Sequence, residues 1–321
     1  MRRAKSEVRG AWRNDPRTSH LALRTSPMSD LLSPAILAAL RGQELTARRT
    51  LDGALIGGHA SALPGAGLEF SQYRSYRPGD DLRRVDWKLF SRSGRYFVRE
   101  AEGERSVTVR LVLDASASMA MGGSGTTKFD RARELAAGIA WLAHRQGDSV
   151  GAAVINDQAR DVVTPSRARH QVHRILDLLT RAEPRGRWPE WSRIEPLFTA
   201  GGGRGIVVLI SDLHDHTDEL RVAARKLAAF RHDLAVLQLV TREEETFGWH
   251  GAVAFEELET GAIVELDADR ARERYLATRA SDRATLARTF ADLRADHVII
   301  PIEEEPGPAL RRWLAHRTRA R

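Results

Sequence analysis

The chain has 321 residues, a formal net charge of +7 and no cysteine. This length allows about two domains, or one large α/β domain with additions. The absence of cysteine excludes a disulfide scaffold, a cysteine-ligated zinc or iron–sulfur site and a cysteine nucleophile, and it fits a reducing, cytoplasmic compartment.

The N-terminal part of the sequence divides at about residue 30. Residues 1–29 are basic, polar and interrupted by proline, which predicts a disordered leader without the apolar run of a secretory signal. The spacing of apolar residues over 30–50 predicts a helix, and a glycine-rich loop follows it. The rest of the segment 30–105 mixes aromatic and charged residues, which predicts short strands around a turn at Pro78 and Gly79.

From residue 106 onward, short apolar runs alternate with helical periods. Runs rich in β-branched residues predict strands at 107–113, 149–155, 205–211, 234–240 and 297–302. Helices are predicted at 129–146, 166–182 (capped by Ser166), 217–231, 268–294 and 308–317. This alternation is typical of an α/β domain, here over 106–302, with a mostly parallel sheet and helices on both faces. A C-terminal helix and basic tail would occupy 303–321, and no apolar run approaches the roughly 20 residues that cross a membrane.

Oxygen-bearing side chains follow two of the predicted strands. Asp114, Ser116 and Ser118 come directly after the first strand, and Asp212 follows the third. The carboxyl ends of parallel strands meet at one edge of the sheet, where open α/β folds bind their ligands. Hard oxygen ligands on a tight loop suit Mg²⁺. The sequence therefore predicts a divalent cation site with Mg²⁺ as its cofactor.

The Asp-x-Ser-x-Ser element and Asp212 resemble the metal-ion-dependent adhesion site of von Willebrand factor type A domains. That site has five positions, and the fifth is a threonine on a second loop. The corresponding segment here reads Arg-Gly-Arg-Trp-Pro-Glu-Trp at 185–191, and Thr199 lies beyond the helix that follows. The resemblance implies a von Willebrand A-like, Rossmann-like fold whose metal site is degenerate, because four of the five positions match.

A second motif precedes the sheet domain. Residues 76–87 read Tyr-Arg-Pro-Gly-Asp-Asp-Leu-Arg-Arg-Val-Asp-Trp, and Val-Arg-Glu follows at 98–100. Together with the adhesion-site element, they resemble the bacterial family called domain of unknown function 58, from about residue 33 to residue 260. The resemblance implies a non-enzymatic interaction module, an adaptor or co-chaperone that works with a MoxR-type AAA+ ATPase on a client protein. Many members carry transmembrane helices ahead of this motif, and this sequence resembles a short soluble version without them.

The charged residues of the second motif have two interpretations. They could form a partner surface made of Asp80, Asp81, Arg83, Arg84 and Asp86. Alternatively, they form an internal network of ion pairs in which Trp87 and Phe90 are buried and anchor the N-terminal segment.

Two other classes of function stay open at this stage. Residues 1–100 hold 18 basic and 10 acidic residues, and residues 311–321 hold five arginines and no acidic residue, so the basic ends could bind nucleic acid. Against this, residues 101–310 are acidic, with 27 basic and 33 acidic residues, and contain no nucleic-acid-binding motif.

The other class is an Mg²⁺-dependent hydrolase. Haloacid dehalogenase phosphatases carry a second aspartate where this chain has Ser116, so the proton-transfer group is missing. The chain has neither the spacing of a phosphate-binding loop nor a nucleophile elbow. His214 and His216 are two residues apart, and we interpret them as exposed loop residues rather than metal ligands.

Overall fold

The structure is a computed structural model in which the chain forms two compact units. One unit combines residues 1–51 with 107–321, and the other comprises residues 52–106. The described residues are 31–47, 70–76, 85–101, 107–123, 125–158, 160–199, 204–214, 218–256, 258 and 262–319.

Strands and helices alternate along most of the described chain. The strands are β1 (Phe70–Ser75), β2 (Phe97–Ala101), β3 (Thr108–Asp114), β4 (Gly122–Gly123), β5 (Thr126–Thr127), β6 (Ser149–Ile155), β7 (Arg160–Ser166), β8 (Ile206–Ser211), β9 (Asp233–Val240), β10 (Ala252–Glu256), β11 (Ile263–Asp267) and β12 (Asp296–Pro301). The helices are α1 (Pro34–Ala39), α2 (Trp87–Ser93), α3 (Lys128–Arg145), α4 (Gln171–Arg181), α5 (Trp191–Ile194), α6 (Pro196–Thr199), α7 (Glu219–Ala229), α8 (Arg242–Thr246), α9 (Ala268–Asp292) and α10 (Pro306–Arg319).

The larger unit is built on a six-stranded sheet with the order β12-β9-β8-β3-β6-β7. Neighbouring strands run parallel, except that the edge strand β7 is antiparallel to β6. The first strand of the sheet, β3, has β6 on one side and β8 on the other, so the strand order reverses between β3 and β8. Open parallel sheets bind ligands at such a switch point, outside the carboxyl ends of the strands. The fold class predicted from the sequence, with a mostly parallel sheet and helices on both faces, is confirmed.

Each face of the sheet is buried under helices because successive strand residues point to opposite sides. In β3, Leu111 and Leu113 pack in a core formed with α1, α3, α4 and α10, whereas Val112 packs in a second core with α5, α6, α7 and the end of α9. Burying one such aliphatic side chain contributes about 1.5–3 kcal/mol. The central strands are therefore buried and mostly apolar up to the carboxyl edge, although β3 includes Arg110 and β9 includes Gln238.

The C-terminal helix α10 is attached to the opposite, amino edge of the sheet. Arg317 is almost completely buried, and its guanidinium donates to Asp233 at 2.6 Å and to Asp296 at 3.3 Å. It also donates to the carbonyl oxygen of Thr46, and the indole of Trp313 donates to Asp296 at 3.0 Å. Because Asp233 and Asp296 begin β9 and β12, this network supports the sheet at the end away from the candidate site.

The smaller unit pairs β1 with β2 in an antiparallel ladder, with α2 between them in the chain. The predicted turn at Pro78 and Gly79 lies outside the described residues, and the predicted return to a strand near residue 96 is confirmed by β2. The expectation of burial is wrong for Trp87, whose surface is 56% exposed at the start of α2. Phe90 stacks on Tyr96 with ring centroids 4.3 Å apart. The aromatic residues of this segment therefore pack against one another, partly in contact with solvent.

Most predicted strands and helices of the larger unit are confirmed, but three details are wrong. Strand β7 was not predicted, because its residues are mostly exposed and an edge strand lacks a buried apolar run. Ser166 ends that strand instead of capping a helix, and α4 begins at Gln171. Helix α1 begins after the cap Ser33 and ends at Ala39, well short of residue 50.

Candidate functional site

The first carboxylate of the candidate site lies at the end of β3. Asp114 is fully buried; its Oδ1 accepts a hydrogen bond from the backbone N–H of Ser116 at 2.8 Å, and its Oδ2 accepts one from Ser211 Oγ at 2.6 Å. Burial, reinforced by the negative charge of Asp212, raises the pKa of Asp114 to about 7. Because a carboxylate binds metal only when it is deprotonated, a cation at this position would compete with that proton.

The other predicted ligands lie beside Asp114. Ser116 Oγ is 3.0 Å from Ser118 Oγ, and Ser118 Oγ donates to Asp212 Oδ1 at 3.3 Å. These two hydroxyls and both carboxylates are buried at the carboxyl edge, and Ser118 is the most accessible of the four residues at 8%. The structure thus brings all four sequence-predicted ligands together at the switch point between β3 and β8.

A second loop, over 182–190, lies beside the Asp-x-Ser-x-Ser loop where the family pattern has its threonine. Arg185 N–H donates to the carbonyl oxygen of Ala115 at 2.8 Å, and Ala117 N–H donates to the carbonyl oxygen of Gly186 at 2.9 Å. Gly186 has a φ of +65°, and a Cβ there would collide with the carboxylate of Asp157. The loop therefore contributes backbone contacts to the neighbouring loop through a glycine that another residue could replace only with backbone strain and a shift of Asp157.

Thr199, the nearest threonine in sequence, does not fill the fifth position. It ends α6, and its hydroxyl donates to the carbonyl oxygen of Glu195 at 3.2 Å. The hydroxyl is thus engaged within its own short helix.

The donor set fits a hard divalent cation. Two carboxylates and two hydroxyls supply only oxygen, which is what Mg²⁺ prefers, and Mg²⁺ usually keeps several waters in addition. Among the described residues, no group of three or more His, Cys, Asp or Glu side chains could hold a metal ion. A cation at this edge would therefore depend on Ser116 and Ser118 as well as on Asp114.

Sequence reasoning missed the most unusual residue of the site, Lys128. This first residue of α3 is almost completely buried, and its ammonium donates to Asp212 Oδ2 at 2.9 Å and to Glu244 Oε1 at 2.7 Å. Burial alone would lower the pKa of Lys128, but the charges of Asp212 and Glu244 raise it above its ordinary value. A signal was present, because the chain uses arginine for 46 of its 50 basic residues and lysine for only four.

Asp212 and Asp114 differ in charge because their neighbours differ. Burial alone would raise the pKa of Asp212, but the charge and hydrogen bond of Lys128 lower it below its ordinary value. The backbone N–H of His214 also donates to Asp212 Oδ1 at 3.0 Å. Asp212 is therefore ionised at neutral pH, whereas Asp114 titrates there.

Glu244, the second partner of Lys128, is positioned by a capping box at the start of α8. Its Oε2 accepts from the backbone N–H of Thr241 at 2.9 Å and from Thr241 Oγ1 at 3.3 Å. Thr241 directly follows β9, so Glu244 reaches the same edge of the sheet. The Thr-x-x-Glu spacing after a buried strand was the sequence signal for this position.

The expected partner surface falls mostly outside the described residues, which do not include Asp80, Asp81, Arg83 and Arg84. Asp86 is described and buried; its Oδ1 accepts from the backbone N–H groups of Lys88 at 3.0 Å and Leu89 at 2.9 Å. Asp86 thus caps α2, which favours a structural role for this one member of the set.

Of the two histidines near the site, His214 is exposed, as expected for a loop residue, and His216 lies outside the described residues. In the part of the chain that the structure describes, no helix is both long enough and apolar enough to span a membrane.

A mostly parallel sheet covered by helices on both faces, with an Asp-x-Ser-x-Ser loop at its switch point, defines a von Willebrand A-like domain. Residues 72–285 match the family described as "Protein of unknown function DUF58", and the chain belongs to that family. The predicted family is thereby confirmed. Similar relatives are the uncharacterized proteins Rv1480 of Mycobacterium tuberculosis and Mb1516 of Mycobacterium bovis. Each is 31% identical over 294 residues, which cover 90% of this chain and 92% of the relative.

Three solved structures that resemble this chain are distant from it in sequence. BatB from Bacteroides thetaiotaomicron is 15% identical with a TM-score of 0.42, and an aerotolerance-related membrane protein from Bacteroides fragilis is 14% identical with a TM-score of 0.43. Both comparisons cover 67% of this chain and 100% of the other. The VWA domain of SpRpn10 is 12% identical with a TM-score of 0.37, over 66% of this chain and 95% of that domain.

Proposed function

We propose that this chain is a non-enzymatic, cytoplasmic protein-interaction module that binds a partner through a Mg²⁺ ion at the Asp114 site. The partner would be a MoxR-type AAA+ ATPase, with which the chain would act as an adaptor or co-chaperone on a client protein. The convergence of the oxygens of Asp114, Ser116, Ser118 and Asp212 at the switch point carries this proposal.

Each of the four residues would have its own role in binding the cation. Asp114 would supply the negative charge, Ser116 and Ser118 would supply neutral oxygens, and Asp212 would orient the Ser118 hydroxyl. A divalent cation held there would supply an electrophilic centre that can accept a carboxylate oxygen from a partner protein. Recognition of this kind needs no general acid or base, and position 116 holds a serine where a hydrolase of the haloacid dehalogenase type has its second aspartate.

The choice of ATPase rests on the family motif in residues 76–100 and not on any contact in the structure. Proteins that carry this motif together with a von Willebrand A-like domain are associated with MoxR-type ATPases, which is why such an ATPase is the partner to test first. The client protein would be recognised either by this chain or by the ATPase after the two associate.

Co-purification tests the proposal directly. A MoxR-type ATPase from the same genome would be captured on the tagged chain in 5–10 mM Mg²⁺ (roughly the millimolar range in which weak divalent sites fill) and again after EDTA treatment. We expect capture in Mg²⁺, loss of capture in EDTA, and loss in Asp114→Ala. Asp177→Ala is the matched control, because Asp177 is an exposed carboxylate on α4 that pairs with Arg181. Capture that survives both EDTA and Asp114→Ala would contradict the metal-bridged form of the proposal.

The structure weakens the nucleic-acid alternative at the C-terminal end. Arg317, one of the five arginines counted there, is buried and paired with two aspartates, so its charge is not available to phosphates. Arg312 pairs with Glu304 on the surface. A gel shift at increasing salt concentration would detect any residual nucleic-acid binding, because phosphate contacts are lost as salt rises.

A further inference from the structure

Lys128 is held in place by the local structure around it. It begins α3, whose capping box is formed by Thr127 and Asp130, and its backbone N–H donates to the carbonyl oxygen of Met121 at 2.9 Å. The first residue of α3, which carries this side chain into the site, is therefore fixed both by the capping box and by the hydrogen bond to Met121. Its ammonium is buried between two carboxylates that come from different strand ends.

Glu244 keeps the ammonium in this position. One oxygen of Glu244 binds Lys128, and the other is bound by the N–H and hydroxyl of Thr241. If Lys128 left the site, it would leave Asp212 and Glu244 buried without their shared cation, which is a costly arrangement in a protein interior. Lys128 is therefore a permanent part of the site.

Asp212 differs from Asp114 in the charge of its partners. Both oxygens of each carboxylate accept hydrogen bonds, but only Asp212 accepts from a buried ammonium. Oδ2 accepts from Lys128, and Oδ1 accepts from Ser118 Oγ and from the backbone N–H of His214. A cation bound directly to Asp212 Oδ2 would lie beside the Lys128 ammonium, whose positive charge opposes it. By contrast, when Ser118 donates its proton to Asp212, Ser118 Oγ accepts from Ser116 Oγ with one lone pair and keeps the other for a cation. Asp212 is thus placed as an outer-shell group that orients a ligand.

We infer that Lys128 is a positioning residue that offsets the charge of Asp212 and thereby weakens the binding of a free divalent cation at this site. A carboxylate from the partner protein would then supply the negative charge that the cation lacks. This inference rests on the proposed function, because it takes Asp114, Ser116 and Ser118 as the cation ligands. An acidic side chain of the partner and the cation would then bind cooperatively, each raising the affinity of the other by the same factor.

The experiment measures binding of Mn²⁺ alone, from the electron paramagnetic resonance signal of the free ion. The decisive variant is Lys128→Met with Glu244→Gln, which removes one positive and one negative charge and so leaves the net charge of the site unchanged. We expect it to bind Mn²⁺ at least about tenfold more tightly than the wild type, because a unit charge a few ångströms away acts strongly in a buried site. Lys128→Arg keeps the positive charge and is expected to stay within about threefold of the wild type.

A second arm uses acetate as a carboxylate probe. Adding acetate should raise the Mn²⁺ affinity of the wild type by a larger factor than that of the double variant, in which Asp212 already supplies the second charge. Asp114→Asn should abolish Mn²⁺ binding in every background and serves to subtract binding of acetate to free Mn²⁺. If Lys128 had a purely structural role, the double variant would bind Mn²⁺ more weakly than the wild type, and acetate would raise the affinity of both by the same factor.

A further single variant keeps the test independent of how well the double variant folds. Asp212→Asn retains the Lys128–Glu244 pair and an oxygen that can accept from Ser118. We expect it to weaken Mn²⁺ binding without removing it, whereas Asp114→Asn should remove binding. Equal loss of binding in these two variants would overturn the inference, because both carboxylates would then act as direct ligands.

The outcomes separate the inference from the proposed function. If the double variant binds Mn²⁺ and the wild type binds none even with acetate present, Lys128 excludes the cation altogether, and both the cooperative binding inferred here and the metal-bridged form of the proposed function are overturned. If both bind with equal affinity, the metal site stands and the inference about Lys128 is overturned. If neither binds, both are overturned.

Discussion

Two carboxylates of the same type behave differently at the carboxyl edge of this sheet. Asp114 is hydrogen-bonded only by neutral donors among its described contacts, Ser116 and Ser211, so burial raises its pKa to about 7. Asp212 faces the ammonium of Lys128 and keeps its charge. An environment that separates two carboxylates in this way suits them to the different roles proposed for them, Asp114 as a cation ligand and Asp212 as a charged group that orients Ser118.

At the amino edge, removing the charge of Arg317 should strongly destabilise the larger unit. Arg317→Met would leave Asp233 and Asp296 buried without their shared guanidinium, and breaking a buried ion pair in this way costs about 3–5 kcal/mol. Urea unfolding followed by circular dichroism would measure the loss. Arg312→Met on the same helix removes a surface pair with Glu304 and should cost less than about 1 kcal/mol. Equal losses in the two variants would show that the buried network does not stabilise α10.

His232 should make the protein lose stability as the pH falls. It is buried, and the backbone N–H of Gly205 donates to its Nδ1 at 3.3 Å. Burial and, secondly, the charge of Arg110 lower the pKa of His232 from 6.5 to about 4. Between pH 6.5 and pH 4 the unfolded chain binds a proton that the folded chain does not, so this contribution is complete above pH 6.5 and is lost as the pH falls toward 4.

Comparing the wild type with His232→Asn isolates that contribution. Asparagine can accept from Gly205 N–H but does not titrate, so the variant should lose less stability than the wild type between pH 7.5 and pH 5 (a range of about two units around the ordinary histidine value). Urea unfolding at both pH values gives the two losses. Identical losses would mean that His232 does not contribute to acid sensitivity. Burial also lowers the pKa of His297 to about 4, so His297 lowers the stability of both the wild type and the His232→Asn variant as the pH falls.

At the scale of elements, the packing of three helices depends on one glycine. Gly138 lies within α3, and a Cβ added to it would lie 2.7 Å from Leu310 of α10 and 3.2 Å from Ile36 of α1. Glycine inside a helix ordinarily costs about 1 kcal/mol relative to alanine, so Gly→Ala should stabilise an unpacked helix. Here the close approach of α10 and α1 should outweigh that gain.

We therefore expect Gly138→Ala to destabilise the protein by about 1–3 kcal/mol, the usual cost of overpacking. Denaturant unfolding would measure the change. Adding Leu310→Ala should recover part of the loss, because the new methyl group can occupy space that the leucine leaves. A stabilised Gly138→Ala variant, or two variants whose effects simply add, would show that α10 moves away at little cost.

At the scale of the whole molecule, the basic residues concentrate at the ends of the chain, and the sheet domain between them is acidic. Residues 101–310 hold 27 basic and 33 acidic residues, and the proposed cation site lies in that part. A negatively charged domain attracts a divalent cation and repels the phosphate backbone of a nucleic acid.

Metal binding should therefore raise the thermal stability of the larger unit. With Mg²⁺ at about 100 times its Kd, the gain is about 2.7 kcal/mol, which corresponds to a rise of roughly 5–10 °C in Tm for a unit of this size. Differential scanning calorimetry in Mg²⁺ and in EDTA would measure it. Asp114→Asn should show no such difference, and a rise of the same size in that variant would place the stabilising ion elsewhere.

Much of the fold was predictable because its signals are local. A buried parallel strand is a short run of β-branched residues, and the strands that became β3, β6, β8, β9 and β12 were all recognised by that pattern. Strand β7 was missed because it lies at the edge, where exposed residues such as Arg160 and Asp161 give no such run. The exposure of Trp87 was also not predictable, because a side chain that usually seeks burial can instead pack against neighbouring rings such as Tyr96.

By itself, the sequence determined the alternation of strands and helices and the positions of Asp114, Ser116, Ser118 and Asp212 at two strand ends. Those features depend on residues close together in the chain. Only the tertiary structure decided that β3 and β8 are neighbours, and that Lys128 joins Asp212 and Glu244, which are 84 and 116 residues away from it. The physical reason is that a buried ammonium is stable only where folding brings carboxylates from distant parts of the chain around it. Local sequence patterns do not predict such long-range contacts.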